Sequence, residues 1–210
     1  MSKVYRNGGK RILDGLLSLC LLPVLGVSFL LIGILIKKDD GGPVVYRSTR
    51  LGRWGRPFVM YKFRTMKVGA LDLRNPDRST YTKEDDPRLT KAGRFLRKTS
   101  LDELPQVINV LKGEMSLIGP RPDLVSAETI YTPRERKKLT VRPGISGYTQ
   151  AYFRNSIPMK EKFRHDVDYV ERLSFWLDLD IAWQTIKSVL QRRHVYASST
   201  DESSDERGSS

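Results

Sequence analysis

Apolar residues fall along this chain in three rhythms, and each predicts a different element. The first is an unbroken run: residues 15–36 carry no charge over 22 positions. A straight helix of that length reaches about 33 Å, enough to cross a bilayer core of about 30 Å. The second rhythm is short and rich in β-branched and aromatic residues. Residues 44–48 and 58–65 read as strands, with Gly52-Arg53-Trp54-Gly55-Arg56-Pro57 as the loop or hairpin between them. The third is helical. Leu104, Val107, Ile108 and Leu111 recur at i, i+3, i+4 and i+7, and Gly113 ends the pattern. Trp176, Ile181, Trp183, Ile186 and Leu190 give a later amphipathic helix, packed in the core or at a membrane interface.

The long run admits two membrane readings. It crosses as one helix, or it enters and returns. Pro23 lacks an N–H and predicts a kink near the middle, leaving arms 10–22 and 24–36 of about 20 Å each. Basic residues stand on both sides: Lys3, Arg6, Lys10 and Arg11 before, Lys37, Lys38, Arg47 and Arg50 after. Positive charge marks the cytoplasmic side, so a returning run fits better than a crossing. A signal peptide, with an apolar region of about 7–15 residues and a small-residue cleavage site, does not fit. Arg11 and Asp14, at i and i+3, are expected to pair at headgroup level. Asp39-Asp40-Gly41-Gly42-Pro43 reads as the turn that follows.

Further along, residues 67–86 are polar and aperiodic, a mobile loop or lid near a site, with Asp85-Asp86 as a solvated acidic pair. Arg88, Lys91, Arg94 and Lys98 read as a solvated or lipid-facing basic stripe; Arg97 stands apart because carboxylates follow it. A helix is expected to start at Pro133. Val141-Arg142-Pro143-Gly144-Ile145-Ser146-Gly147 reads as a glycine-rich turn, and residues 163–169 open the last helical region. From residue 197 the Ser, Thr, Asp and Glu content cannot bury a core.

Charge narrows the partners. The 210 residues carry a net +13, and a tail with four acids against Arg207 leaves +16 on the rest. Such a surface seeks anions: nucleic acid, anionic lipid or phosphorylated substrates. The single cysteine, Cys20, sits in the apolar run, so no internal disulfide or zinc cage is possible. Two histidines make a histidine metal site improbable, His165-Asp166 included.

The candidate chemistry is concentrated in residues 99–123. Asp102 and Glu103 are adjacent carboxylates at the start of a helical pattern, and Gly119-Pro120-Arg121-Pro122 is a stiff turn carrying one guanidinium. Two readings stand side by side. Ser100-x-x-Glu103 fits a capping box, with acids offsetting the helix dipole. Alternatively, the helix start and Arg121 hold a phosphate, while one carboxylate attacks and the other binds Mg²⁺.

The run SLDELPQVINVLKGEMSLIGPRP resembles the signature of the bacterial sugar transferases, the monotopic polyprenyl-phosphate phosphoglycosyl transferases. PVVYRSTRLGRWGRPFVMYKFRTM, VRPGISG, and Lys10-Arg11 with Asp14 resemble the same family, over about 5–193. The resemblance implies a minimal catalytic form: an α+β fold, mainly helical with a short β-hairpin, monotopic, with a Pro-broken re-entrant N-terminal helix and interfacial amphipathic helices. Its parts would be a membrane helix (1–38), a cytosolic catalytic domain (39–196) and a disordered tail (197–210). It implies transfer of a sugar-1-phosphate from a UDP-sugar to polyprenyl phosphate, with release of UMP, at the cytoplasmic face of a bacterial inner membrane. Asp102 would be the nucleophile and Glu103 the Mg²⁺ ligand. Arg97 and Arg121 would clamp phosphate oxygens, with Pro120 and Pro122 shaping the turn. Lys62, Arg154 and Asp166 follow as further substrate-binding positions. Anionic headgroups are expected as contacts and nucleic acid is not.

Two departures stand out. The break is Leu22-Pro23 where the family often has Ser-Pro. Tyr148, Tyr152 and Phe153 stand where smaller or polar residues are usual, which leaves the sugar open. The rival readings are a basic, membrane-anchored nucleic-acid-binding protein and a scaffold; no helix-turn-helix, zinc-finger or RNA-binding signature accompanies the charge.

Overall fold

The computed structural model describes residues 4–71, 73, 86–154 and 156–191. Most of the expected loop at 67–86, Asp85 included, and the whole tail at 197–210 lie outside the described residues. After a π-helical turn at Tyr5–Gly9, helix α1 runs over Lys10–Cys20 and α2 over Leu22–Asp40. The two segments meet at a 49° bend. The break falls at Leu21, two residues before the expected Pro23. Pro23 is the second residue of α2, where a missing N–H costs nothing. What its ring forbids is continuation over the carbonyl of Leu19, so α1 ends upstream. Among the described residues no single helix is long and apolar enough to cross a membrane; the bent pair qualifies together, by length and composition.

Helix α2 also outlasts its expected end. Asp39 and Asp40 form its last turn, and Gly41, at φ 71°, closes it. Two acids oppose the dipole at a helix C-terminus, and each is compensated. Asp40 is held by Arg64, and Asp39 accepts from the N–H of Ala92 at 2.7 Å, in the first turn of α3 (Lys91–Thr99).

The hairpin forms as expected, from β1 (Val45–Leu51) and β2 (Pro57–Phe63), antiparallel with Tyr46 opposite Lys62. Phe58 and Met60 on β2 turn inward. The rest of the chain is mainly helical: α4 (Gln106–Lys112), α5 (Tyr148–Tyr152), α6 (Met159–Arg172) and α7 (Phe175–Leu190). Between them β3 (Ser116–Ile118) pairs in parallel with β4 (Gly144–Ser146), so the expected glycine-rich turn contains a strand. A Cβ on Gly144 would stand 2.1 Å from the Gly119 nitrogen; glycine lets the two backbones meet. The expected helix at Pro133 is a 3₁₀ segment, Glu135–Thr140.

Both arms of the bent pair dock on the same body. The expected Arg11–Asp14 pair does not form. Arg11 donates to the carbonyls of Val110 (2.5 Å) and Leu111 (3.0 Å) at the end of α4, where cations are favoured. Buried Asp14 accepts from Ser116 Oγ (2.6 Å) and the Leu117 N–H (3.1 Å). Those contacts outweigh a solvated i, i+3 ion pair, which is worth at most about 1 kcal/mol. Asp178 on α7 collects three more: Tyr5 Oη (2.6 Å), Tyr169 Oη (2.7 Å) and Lys10. On the other arm, Ile32 and Ile36 bury against Phe63 and Leu96, with Leu101 and Leu104 packed alongside. The bend stands clear, exposing Leu17, Leu19, Leu21, Leu22, Val24 and Val27. A second exposed apolar stripe follows α7 through Trp176, Leu179, Trp183, Ile186 and Leu190; Ile181, expected with them, faces the core instead. Trp54 is 60% exposed, Trp176 69% and Trp183 59%, unlike core aromatics.

Candidate active site

The site begins where α3 crosses the end of β2. Thr90 caps α3, its Oγ1 accepting from the Gly93 N–H at 2.9 Å. A Cβ on Gly93 would lie 1.8 Å from the Thr65 carbonyl oxygen, so only glycine permits the crossing. One turn on, Arg97 Nε donates to Thr65 Oγ1 at 3.1 Å. Ser100 then takes a left-handed conformation (φ 58°) and ends α3. The expected capping box is therefore absent: Ser100 makes no side-chain cap bond, and α4 starts only at Gln106. Between the helices Leu101–Glu103 forms a 3₁₀ turn. Leu101 and Leu104 go to the apolar cluster, which leaves Asp102 and Glu103 as the polar side of the turn. Asn109 fastens α4 to β2, accepting from the Tyr61 N–H (3.1 Å) and donating to the Val59 carbonyl (2.7 Å). Lys62, on the same strand face as Phe58 and Met60, thereby reaches the turn.

Lys62 Nζ lies 2.5 Å and Arg121 Nη1 3.4 Å from the same oxygen, Glu103 Oε1. Asp102 is 9% exposed. Burial, helped by the neighbouring Glu103 charge, pushes its carboxyl up to about 6, against the pull of Lys62, Arg97 and Arg121. Burial acts on Glu103 too, but Lys62 and Arg121 outweigh it and hold its carboxyl down at about 2. The two carboxyls are thus split. Glu103 is a fixed charge, while Asp102 is poorly solvated and correspondingly reactive once ionised. Arg154, at φ 49° after α5, adds a fourth cation: burial lowers its basicity, and the Glu103 charge opposes that.

Of the residues singled out in the sequence, Lys62, Arg97, Asp102, Glu103, Arg121 and Arg154 thus come together. Pro120 and Pro122 are buried on either side of exposed Arg121, and the Pro120 carbonyl accepts from the Gly144 N–H at 2.9 Å. Asp166 goes elsewhere. It is buried on α6, 2.6 Å from Lys138 Nζ. Lys138, 3% exposed, also holds Asp123 at 2.6 Å, and Tyr131 donates to Asp123 at 2.6 Å. Asp123 follows Pro122 directly, so this network braces the arginine turn from behind. Nothing local marks Lys138, one of four cations in the run 134–138 that look alike in the sequence.

Asp86 is the larger surprise. Expected in a solvated run, it is fully buried and held by Arg88 at 2.7 and 2.9 Å. Its carboxyl stays below the usual range although burial pushes it up, because Arg88 and, further off, Arg97 prevail. Arg88 accordingly leaves the expected solvent stripe, while Lys91, Arg94 and Lys98 remain exposed. Tyr148, Tyr152 and Phe153 gather with His165, Phe153 stacking on its ring at 4.8 Å.

Among the described residues no three of His, Cys, Asp and Glu gather as a metal cage. Mg²⁺ commonly needs only one or two carboxylates and takes its other ligands from substrate phosphates and water. The donor set fits that habit, since both cations that contact Glu103 fall on Oε1 and leave Oε2 and Asp102 as oxygen donors.

Comparison with known proteins identifies the family. The family model for bacterial sugar transferases matches residues 5–192. The chain is 42% identical over 194 residues to the uncharacterized sugar transferase EpsL of Bacillus subtilis, covering 90% of this chain and 93% of that one. It is 42% identical over 189 residues to the galactosyl transferase CpsE of Streptococcus agalactiae, covering 86% and 42%. It is 38% identical over 198 residues to the UDP-glucose:undecaprenyl-phosphate glucose-1-phosphate transferase of Xanthomonas campestris, covering 89% and 40%. The chain therefore spans nearly all of the first relative and less than half of the two longer ones.

Proposed function

The chain belongs to the bacterial sugar transferase family, and from that membership we propose that it moves a sugar-1-phosphate from a UDP-sugar to a polyprenyl phosphate such as undecaprenyl phosphate. One observation carries the reading: a buried Asp102 beside Glu103, whose Oε1 meets Lys62 at 2.5 Å and Arg121 at 3.4 Å, with Arg97 and Arg154 close enough to act on the pair.

An ionised Asp102 oxygen attacks the β-phosphorus of the donor. The bond from that phosphorus to the bridging oxygen breaks, and UMP leaves with the electron pair. The enzyme then carries the phosphosugar on Asp102 as an acyl phosphate. A phosphate oxygen of the acceptor attacks the same phosphorus, the bond to Asp102 breaks, and the carboxylate is restored. One difficult displacement becomes two easier ones. Arg97 and Arg121 steady the non-bridging oxygens, and Arg154 and Lys62 offset the charge gathered at Glu103. Glu103, with Asp102 before it is phosphorylated, is the residue to hold Mg²⁺, which when bound neutralises charge on the diphosphate and on the departing UMP.

The place of the reaction follows from the substrates. The acceptor's chain cannot leave a bilayer and the nucleotide sugar cannot enter one. We read α1 and α2 as a re-entrant anchor in the cytoplasmic leaflet of the inner membrane. Arg11, Asp14, Ile32 and Ile36 all pack on one body, so a crossing would strand part of that body in lipid. The basic flanks suit anionic headgroups. The exposed tryptophans and the α7 stripe suit the interface.

The test is a UMP-release screen over UDP-glucose, UDP-galactose and other UDP-sugars, with polyprenyl phosphate in nanodiscs. One donor should give UMP, chelation should stop it and Mg²⁺ restore it; UMP from no donor would overturn the reading. Labelling of both termini from one side of intact cells is expected, and opposite-side labelling would end the re-entrant anchor.

A further inference from the structure

Arg121 and Arg154 stand on irregular backbone, one between two prolines and the other just past α5. Arg121 reaches Glu103 at 3.4 Å, and Arg154 is near enough for the same charge to act on it. A buried link joins the two from behind. Asp123, just beyond Arg121 and Pro122, meets Lys138 Nζ at 2.6 Å, and Lys138 meets Asp166 Oδ2 at 2.6 Å. The other oxygen of Asp166 accepts from Thr149 Oγ1 at 3.4 Å. The Thr149 carbonyl then accepts from the Arg154 N–H at 2.8 Å. Lys138, Asp166 and Thr149 are each at most 3% exposed, so none of them meets a substrate arriving from solvent. We propose that Lys138 and Asp166 are positioning residues: the link they centre sets where Arg154 stands relative to Arg121. This rests on the transferase reading above and adds to it two groups that touch no substrate.

The chemistry of the link suits geometry better than stability. Ionic groups buried together gain little over well-packed apolar side chains, because desolvation offsets their attraction. What short charged contacts do supply is a fixed distance. Lys138 keeps its charge there, since Asp123 and Asp166 outweigh the burial that lowers its basicity. The middle of the link is rooted in a core helix: Asp166 shares one face of α6 with buried Phe163, Val167 and Val170. Its far end needs holding. Arg154 takes a left-handed backbone (φ 49°), which a residue with a side chain keeps only where its surroundings impose it. The bond from its N–H to Thr149 fastens that turn to α5, and Asp166 fastens α5 to α6. Charge developing on a diphosphate is met by fixed cations, and misplacing one by about 1 Å can cost about a hundredfold in rate.

The experiment reads the rate of the UMP burst when protein in nanodiscs is mixed with donor alone. Asp166→Leu cuts the link in the middle yet leaves Lys138 paired with Asp123, so no buried charge is stranded. It should slow the burst at least about tenfold. Asp166→Asn keeps an oxygen for Lys138 and should recover the rate to within about threefold of wild type. On an Arg154→Ala background Asp166→Leu should cost no more than about twofold, because the group it places is gone. Val167→Ala, beside Asp166 in the core, should lower Tm and leave the burst alone. Hydrogen exchange of the Arg154 N–H should rise at least about fivefold in Asp166→Leu and stay unchanged in Val167→Ala. If Asp166→Leu does not fold, Thr149→Val takes its place, with about a threefold loss that again vanishes on the Arg154→Ala background. A smaller loss, an undiminished loss on the Arg154→Ala background, or an equal loss in Val167→Ala would overturn the proposal. If wild-type protein gives no UMP from any donor, the transferase reading fails, and the exchange of the Arg154 N–H still decides the link.

Discussion

Thr132 and Glu135 close on each other. Glu135 Oε2 accepts from the Thr132 N–H at 2.7 Å, and the Glu135 N–H donates to Thr132 Oγ1 at 3.3 Å. Ser100 and Glu103 have the same spacing and the same residue classes, yet share only a backbone contact of 3.3 Å. Ser100 is occupied in ending α3, and Glu103 is drawn away to Lys62 and Arg121. At the other site the cation, Lys160, lies 3.0 Å from the same Oε2 that accepts from the Thr132 N–H, and reinforces the box. A spacing of this kind offers a local option. Whether it is taken depends on which partner reaches the glutamate first. A carboxylate satisfied by its own turn is structural, and one turned toward several cations is available for chemistry.

The sharpest break in the comparison is chemical. Asp102→Asn should cut UMP release at least about a thousandfold and abolish any trapped radiolabelled intermediate, while the protein still folds. Wild-type turnover would take Asp102 out of the nucleophile role. Next come the two glutamates. Glu103→Gln should lower turnover by about a hundredfold and shift the Mg²⁺ requirement. Glu135→Gln should leave turnover alone and lower Tm by about 2–4 °C, the equivalent of about 1 kcal/mol. If Glu135→Gln impairs catalysis as much as Glu103→Gln, the division between the two turns is wrong.

Acid sharpens it further. Burial pushes the Glu135 carboxyl up, but the Thr132 N–H and Lys160 hold it below its ordinary 4.5. A carboxyl lowered on folding stabilises the protein above its unfolded value and stops doing so as pH falls through the folded one. The gap in urea midpoint between wild type and Glu135→Gln should therefore be full above the ordinary glutamate range and close as pH falls below it. The smallest effects concern the caps. Thr132→Ala should cost about 1 kcal/mol, Ser100→Ala within about 0.5 kcal/mol, and Ser100→Gly should stabilise by up to about 1 kcal/mol by relieving the left-handed backbone, all by chemical denaturation.

Much of this was legible in the sequence, because some signals are local. The hairpin, the helix ending at Gly113 and the basic ring around Asp102 follow from periodicity, turn chemistry and motif. What was missed depends on distant partners. Asp86 looked solvated because it closes a charged run in the sequence; its burial needs the Arg88 guanidinium beside it. Arg11 and Asp14 looked like a pair because they are i, i+3; their better partners lie about a hundred residues away on α4 and β3. The pairing of Asp166 with Lys138 could not be read either, because Lys138 is anonymous within a charged run. The break before Pro23 was displaced because proline acts on the carbonyl four residues back.

The fastening of the N-terminal arm to Asp178 has a consequence in time. Tyr5 and Lys10 wait for a partner 173 and 168 residues downstream. At a synthesis rate of about 5–20 residues per second, that interval is roughly 10–35 s. The start of this arm is thus fastened last, well after Arg11 and Asp14 have met α4 and β3 about a hundred residues downstream.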